Sequence, residues 1–273
     1  MPGRGGDGHT RRQSGGTMMD IEKIAETLEQ ETAAGNFMPH AWRGKLSMDQ
    51  AYQVQLAIMR RRIGRGERQT GWKVGLTAAA MRAQQNVHEP CFGYLLASGH
   101  RLSGHQYDFG TLIAPGFENE LCLRVSKTLR GPGVTLDEVA AAVTHAAPAL
   151  EVIEKRGNFT DDLPLAMADN AQQHSYVTGA EVALNHANSD LGAATVDVVI
   201  SNVAQETAPG SAVMGEGALL SVVWLANKLA EFGLGIEAGQ VIMSGSFTRQ
   251  YVITDGIAIQ SRFSPFGTVT ARF

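Results

Sequence analysis

In the run Ala114–Val125, "APGFENELCLRV", two glutamates interrupt an apolar segment two residues apart, Glu118 and Glu120. In a strand, side chains at i and i+2 share a face, so the two carboxylates stand side by side. Like charges so placed repel, and burying them costs several kcal/mol each unless something compensates. A divalent cation is the simplest compensator. Glu151 breaks a second apolar run, "APALEVIEKR". Together Glu118, Glu120 and Glu151 offer three carboxylates, a donor set that suits a hard cation such as Mg2+ or Mn2+ and leaves positions for water or substrate. The same residues also read as exposed faces of half-buried strands, a reading that weakens for Glu151 because its neighbours are almost all apolar.

Lys73 lies in "GWKVG" between Trp72 and Val74. Its amine either meets an anion or enolate in a pocket, or snorkels to the surface. "MADNAQQH" carries Asp169 and Asn170, polar groups for a pocket or a plain turn. "SGSFTRQ" (Ser244–Gln250) follows a strand and contains Ser246 and Arg249. Small residues there let backbone amides meet an anion, and a hairpin loop is the alternative. The histidines have no metal spacing, and His100 and His105 flank a Gly-rich turn as solvated groups. No GxSxG elbow, P-loop or CxxC pair is present.

These residues need elements to hold them. Asp20 opens a helix with Ile21, Ile24 and Leu28 on one stripe and Gly35 as its stop. Ser47 and Gln50 form a capping-box pattern before the stripe Tyr52, Leu56, Met59, Ile63. Arg60, Arg61 and Arg62 are the charged last turn of that helix. Thr77 is placed as the cap of a short helix through "AAAMRAQQ", ended by Pro90. Thr135 and Glu138 cap a helix over "LDEVAAAVTHAA", and a late helix "GALLSVVWLANKLAEFG" stops at Gly233. Strands are expected at "ALEVIEK", "TVDVVIS", "QVIMSGSF", "GIAIQSRF" and "GTVTARF", the last two joined by Pro265-Phe266-Gly267. The order is not a regular alternation, which argues against Rossmann and TIM topologies and for an α+β fold with a large mixed or antiparallel sheet. The expected organisation is an extension over 1–18, a mainly helical region over 19–98 and a sheet-rich catalytic region over 99–273. The extension is rich in Gly, Arg and Ser and is expected to be disordered, with Met18 or Met19 as an alternative start.

The chain has 273 residues and a net charge of -4, with no basic footprint for nucleic acid and no field for an anionic membrane. No apolar run approaches the roughly 20 residues of a membrane span. Two cysteines, Cys91 and Cys122, make no disulfide framework and point to a reducing, cytoplasmic compartment.

"GWKVGLTAAAM", "NVHEPCFGYLL", "FENELCL", "PALEVIEKR", "ADNA", "WLANKLAEFG" and "GQVIMSGSFTR", in that order, resemble the fumarylacetoacetate hydrolase superfamily. The resemblance runs from about residue 19 to the C-terminus. It is to the bacterial branch of 2-keto-4-pentenoate (2-hydroxypentadienoate) hydratases, 2-oxohept-4-ene-1,7-dioate hydratases and 4-oxalocrotonate decarboxylases. It implies that family's mixed β-roll behind an N-terminal helical region, a metal site at Glu118, Glu120 and Glu151, and Lys73 in the active site. It also implies a homo-oligomer acting on a small 2-oxo acid in aromatic-compound catabolism.

Three positions depart from the pattern. Hydratases usually read "EPDFG" or "EPDYG", and here the acid is Cys91, which leaves Glu89 as the local candidate for proton handling. A serine often follows "ADNA", and here it is Gln172. "GHP" before the late helix is here Gly215-Glu216-Gly217. "GSFTR" is similar to dicarboxylate-using hydratases, so Arg249 is expected to meet a second carboxylate. Asp169, Asn170, Ser246 and Cys91 are the other expected substrate contacts. The expected activity is a Mg2+-dependent hydratase of a 2-hydroxy-dienoate or 2-oxo-alkenoate. Decarboxylation of a 2-oxo-enedioate or C–C hydrolysis is the alternative, and a metal-binding partner subunit without turnover is another.

Overall fold

A computed structural model of the chain describes residues 20–84 and 86–273, so the extension over 1–18 lies outside the described residues. The helices are α1 (Ile21–Ala33), α2 (Met48–Gly64), α3 (Ala79–Gln84), α4 (Leu136–Ala142), α5 (Leu163–Ala168) and α6 (Ala218–Ala230). The strands of the first half are β1 (Gln69–Gly75), β2 (Cys91–Leu96), β3 (His100–Leu102), β4 (His105–Gln106), β5 (Pro115–Val125), β6 (Val143–Glu154) and β7 (Gln173–Thr178). Those of the second are β8 (Val182–Ala183), β9 (Thr195–Ile200), β10 (Val203–Pro209), β11 (Val241–Met243), β12 (Tyr251–Val252), β13 (Ala258–Ser264) and β14 (Gly267–Arg272). No described helix is long and apolar enough to cross a membrane.

The caps read from sequence form as expected. Ser47 with Gln50 and Thr135 with Glu138 make reciprocal capping boxes on α2 and α4, and Asp20 caps α1. Ile24 and Leu28 of α1 and Tyr52, Leu56 and Met59 of α2 are buried. The arginines of the last turn of α2 and its C-cap pair with acids: Arg61 and Arg65 with Glu29, and Arg62 with Glu67.

Two expectations need correction. The helix begun at Thr135 ends at Ala142, and "VTHAAPALEVIE" is one long strand, β6. The alanines favour a helix locally, but this first half of β6 is laddered by β5 on one side and by β8 at His145 and Ala146 on the other, and that pairing overrides propensity. The helix after β1 starts at Ala79, and Thr77 is instead a buried residue packed against Gly245.

A nine-stranded sheet runs β2-β1-β11-β5-β6-β7-β3, with β12 beside β5 and β8 beside β6. A five-stranded sheet runs β10-β9-β13-β14-β4. The first sheet crosses residue 99, because β1 and β2 join it through the parallel pair β1–β11. It curls on itself: Thr70 on β1 hydrogen-bonds the Tyr176 hydroxyl on β7 at 2.9 Å. The inner face carries a small apolar floor of Leu95, Cys122, Ala147, Ala149, Tyr176, Val241 and Met243. The outer face, with Trp72, Phe92, Leu121, Leu123 and Leu150, packs into the main core with α1, α2 and α6. Backbone alternation therefore separates a thick structural core from a thin inner lining on which the polar residues stand.

Candidate metal centre

The β5–β6 ladder pairs Glu118 directly with Glu151, and Glu120 with Ala149. Opposed residues of an antiparallel pair share a face, as do i and i+2 residues, so all three carboxylates project from the inner face. One oxygen from each lies within 4.8 Å of the others. Asn119, between the two glutamates, points the other way. Its amide donates to Thr248 Oγ1 at 2.9 Å and accepts from Ser261 Oγ at 2.5 Å, which ties the 244–249 loop and β13 to β5.

Glu120 is fully buried and Glu151 nearly so. Glu120 Oε2 accepts from the Gly245 amide at 2.9 Å, whereas Glu120 Oε1 and Glu151 Oε1 are buried without a hydrogen-bond partner among the described residues. A buried carboxylate oxygen without a hydrogen-bond partner, beside two more carboxylates converging on the same point, fits a hard cation. Gly245 makes its contact from φ +106, and a Cβ there would lie 2.4 Å from Thr77 Cγ2, so this backbone donor needs glycine.

Lys73 on β1 is buried, and its Nζ stands 3.4 Å from Glu151 Oε1. The snorkelling alternative is thereby removed. Burial disfavours the charged amine, but Glu151 first, then Cys91, Glu118 and Glu120, outweigh it and hold the Lys73 pKa above its ordinary value. Burial and the Glu151 charge push Glu118 up to about 7 against the opposing Lys73, and Glu120 is raised for the same reasons. A raised carboxylate pKa means that the metal-free folded state holds extra protons. The contribution of Glu118 to stability is lost as pH rises from about 4.5 and is gone above about 7, and that of Glu120 is lost in the same direction. Cation binding must displace those protons. Mg2+ affinity and the Mg2+-induced rise in melting temperature are therefore expected to grow between about pH 5.5 and 7.5 and then level off, with proton release. Calorimetry in two buffers of different ionisation enthalpy measures both, and a pH-independent affinity would contradict the site.

Cys91 is buried at the start of β2, opposite Gly75. A Cβ on Gly75 would meet Cys91 Sγ at 3.0 Å and Lys73 Nζ at 3.5 Å, so this glycine lets thiol and ammonium converge. Burial pushes the Cys91 thiol up to about 11, which keeps it neutral.

Glu89 has a partner outside the site. It is half exposed and paired with Lys228 of α6 at 2.9 Å, because the chain bends before β2 instead of continuing the extended alternation that would put Glu89 beside Cys91. Asp169 is held by Arg156 at 2.7 Å, and Asn170 bonds the backbone of Tyr94. Ser246 accepts from the Asn119 amide at 3.3 Å. Arg249 is largely exposed, over the Tyr251 ring and 3.9 Å from Glu206. The metal set, Lys73 and Cys91 are thus brought together, while Asp169 and Arg249 make other contacts. Sequence reasoning missed the Ala171 carbonyl, which accepts from Lys73 Nζ at 3.3 Å, and the donor role of Gly245. The only sequence signal for the latter was a cluster of small residues after a strand.

No protein-family model matches the chain. It is 37% identical over 230 residues to a 4-oxalocrotonate decarboxylase of Pseudomonas putida, covering 84% of this chain and 86% of the relative. It is 33% identical to a 2-hydroxyhexa-2,4-dienoate hydratase of Comamonas testosteroni, covering 84% and 87%. A solved 4-oxalocrotonate decarboxylase of Pseudomonas putida G7, complexed with magnesium and adipate, superposes with a TM-score of 0.86 at 34% identity, over 93% of this chain and 97% of that one. More distant solved structures, fumarylacetoacetate hydrolase family proteins among them, share the fold alone.

Proposed function

This chain belongs to the family of bacterial 4-oxalocrotonate decarboxylases and 2-hydroxydienoate hydratases, and from that premise we propose that it is a metal-dependent lyase of a small 2-oxo-enoate or 2-hydroxy-dienoate from ring-opened aromatic compounds. The observation that carries this reading is the convergent carboxylate triad, with Glu120 Oε1 buried and unpartnered and Lys73 against Glu151. Glu118, Glu120 and Glu151 would hold the cation, for which Mg2+ fits the donor set and the magnesium of the similar decarboxylase structure. When bound, Mg2+ supplies a Lewis acid for the 2-oxo acid.

Lys73, held as an ammonium by Glu151, brings positive charge to where negative charge collects on the 2-oxygen, and it can hand a proton to the dienolate carbon and recover it from water. The inner-face floor of Cys122, Ala149 and Met243 keeps the site lined by small and apolar groups. Reaction type turns on the groups around Lys73. Loss of CO2 breaks the bond to the distal carboxylate of a 2-oxo-enedioate, and the electron pair runs through the enone to the 2-oxygen. That cleavage needs no base. Adding water to the distal alkene needs one, yet Cys91 is a neutral thiol and Glu89 is engaged by Lys228. These observations favour decarboxylation. Hydration, the expectation from sequence, is the second reading, supported by the hydratase relative.

Wild-type protein and Cys91→Asp, assayed for both CO2 release and loss of the dienoate chromophore, separate the two. Under decarboxylation, wild-type releases CO2 from a 2-oxo-enedioate. Cys91→Asp then loses about tenfold or more in that rate through repulsion of the leaving carboxylate, and gains no hydration. Hydration that is kept or raised in Cys91→Asp transfers the assignment to the hydratase. No turnover of any oxo-dienoate despite Mg2+ binding identifies a partner subunit.

A further inference from the structure

We propose that Asn170 is a positioning residue: its side-chain amide pins a left-handed segment to the open edge of β2, so that the Ala171 carbonyl meets the Lys73 ammonium and fixes where it points. The proposal rests on the reading of Lys73 as the group that faces substrate.

Asn170, Ala171 and Gln172 have φ of +54, +49 and +61. None is glycine, and left-handed backbone costs an ordinary residue about 1 kcal/mol or more, least for Asn. Such a run persists only where its surroundings over-determine it. Here they do. β2 is the terminal strand of its sheet, so Tyr94 presents peptide groups to a side with no further strand. Asn170 answers as a neighbouring peptide would: Oδ1 accepts from the Tyr94 amide at 2.8 Å, and Nδ2 donates to the Tyr94 carbonyl at 3.0 Å. Gln172 Nε2 donates to the Gly157 carbonyl at 2.6 Å, and Arg156 holds both the carboxylate and the carbonyl of Asp169. All three left-handed residues are buried.

What this bracing produces is one carbonyl, that of Ala171, aimed at Lys73 Nζ. An ammonium held by Glu151 alone would be free to follow that carboxylate. A second, neutral acceptor on a braced segment restricts it. Gly93 completes the device. It lies opposite Lys73 in the β1–β2 register, and a Cβ there would stand 2.8 Å from Asn170 Oδ1, 3.1 Å from Asn170 O and 3.2 Å from Lys73 Cε. Only a bare backbone lets the segment and the lysine stem approach together.

Two variants test this from opposite sides. Asn170→Gly tolerates the left-handed backbone but removes both bonds to Tyr94. Gly93→Ala keeps Asn170 and displaces the segment. Each is expected to lower kcat by about 10²-fold while KM and the Mg2+ dissociation constant stay within about threefold. Asn170→Asp, which keeps the acceptor for the Tyr94 amide, regains part of kcat. If Asn170→Gly does not fold, Gly93→Ala decides. Wild-type kcat in either folded variant overturns the proposal. So does a raised KM at unchanged kcat, which makes Asn170 a substrate contact, or a parallel loss of Mg2+ affinity. If wild-type protein turns over no 2-oxo-enoate, the functional reading fails separately. The 13Cε resonance of Lys73 then decides: a shift in both variants supports the positioning, and no shift overturns it.

Discussion

Lys73→Met is expected to fold, to bind Mg2+ at least as tightly as wild-type, and to lose about 10²–10⁴-fold in turnover. The fold is kept because Met fills the same volume with an unbranched apolar chain, and the floor beside it already contains Met243. Metal binding is kept because Lys73 is no ligand. Its ammonium pairs with Glu151, and that charge opposes a second cation nearby. Turnover falls because Lys73 supplies positive charge at the enolate oxygen and a proton at carbon, which an apolar side chain does neither of. The measurements are steady-state kinetics, a calorimetric Mg2+ titration and a thermal melt on one preparation. Wild-type turnover removes Lys73 from the chemistry. Lost metal affinity with lost turnover makes it a support of the metal site instead.

Glu120→Gln separates function from stability in the opposite direction. Without metal, Glu120 is a fully buried carboxylate with like charges beside it and one unpartnered oxygen. An amide of the same shape removes that repulsion, and its oxygen still accepts from the Gly245 amide. The metal-free variant is expected to melt about 3 °C or more above metal-free wild-type. The same change deletes one anionic ligand, so Mg2+ affinity should fall about 10²-fold or more, and turnover with it. Glu118→Gln and Glu151→Gln should also weaken Mg2+. Glu151→Gln additionally leaves the buried Lys73 short of its nearest counter-charge, so it is expected to lose stability rather than gain it. Unchanged Mg2+ affinity in all three variants would sink the site, and a lower melting temperature for metal-free Glu120→Gln would sink the account of its repulsion.

The metal set was legible in the sequence for a simple reason. Period-two alternation fixes the face of Glu118 and Glu120 without any tertiary information, and their apolar neighbours make the burial of charge conspicuous. Motif order added Lys73 and the family. Capping boxes are local in the same way, so Ser47–Gln50 and Thr135–Glu138 were readable from spacing alone. The end of α4 was not, because ladder bonds to β5 and β8 overrule the preference of "VTHAA".

Tertiary structure alone decided the rest. The pairing of Glu118 with Glu151 is a matter of register between strands far apart in the chain, and the approach of Lys73 depends on the crossover that lays β1 beside β11. The partner of Glu89 was not legible because strand alternation does not run through the bend before β2, where Lys228 of α6 pairs with its carboxylate. Arg249 sits in an exposed loop, where contacts with Tyr251 and Glu206 rather than spacing set its direction. The left-handed run at Asn170 has no glycine to announce it, since its stability lies in the open edge of β2 and the arginine behind it. The sequence by itself determined which groups could bear charge in the interior. Long-range register and packing determined which of them meet, because a side chain's neighbours across a sheet belong to other parts of the chain.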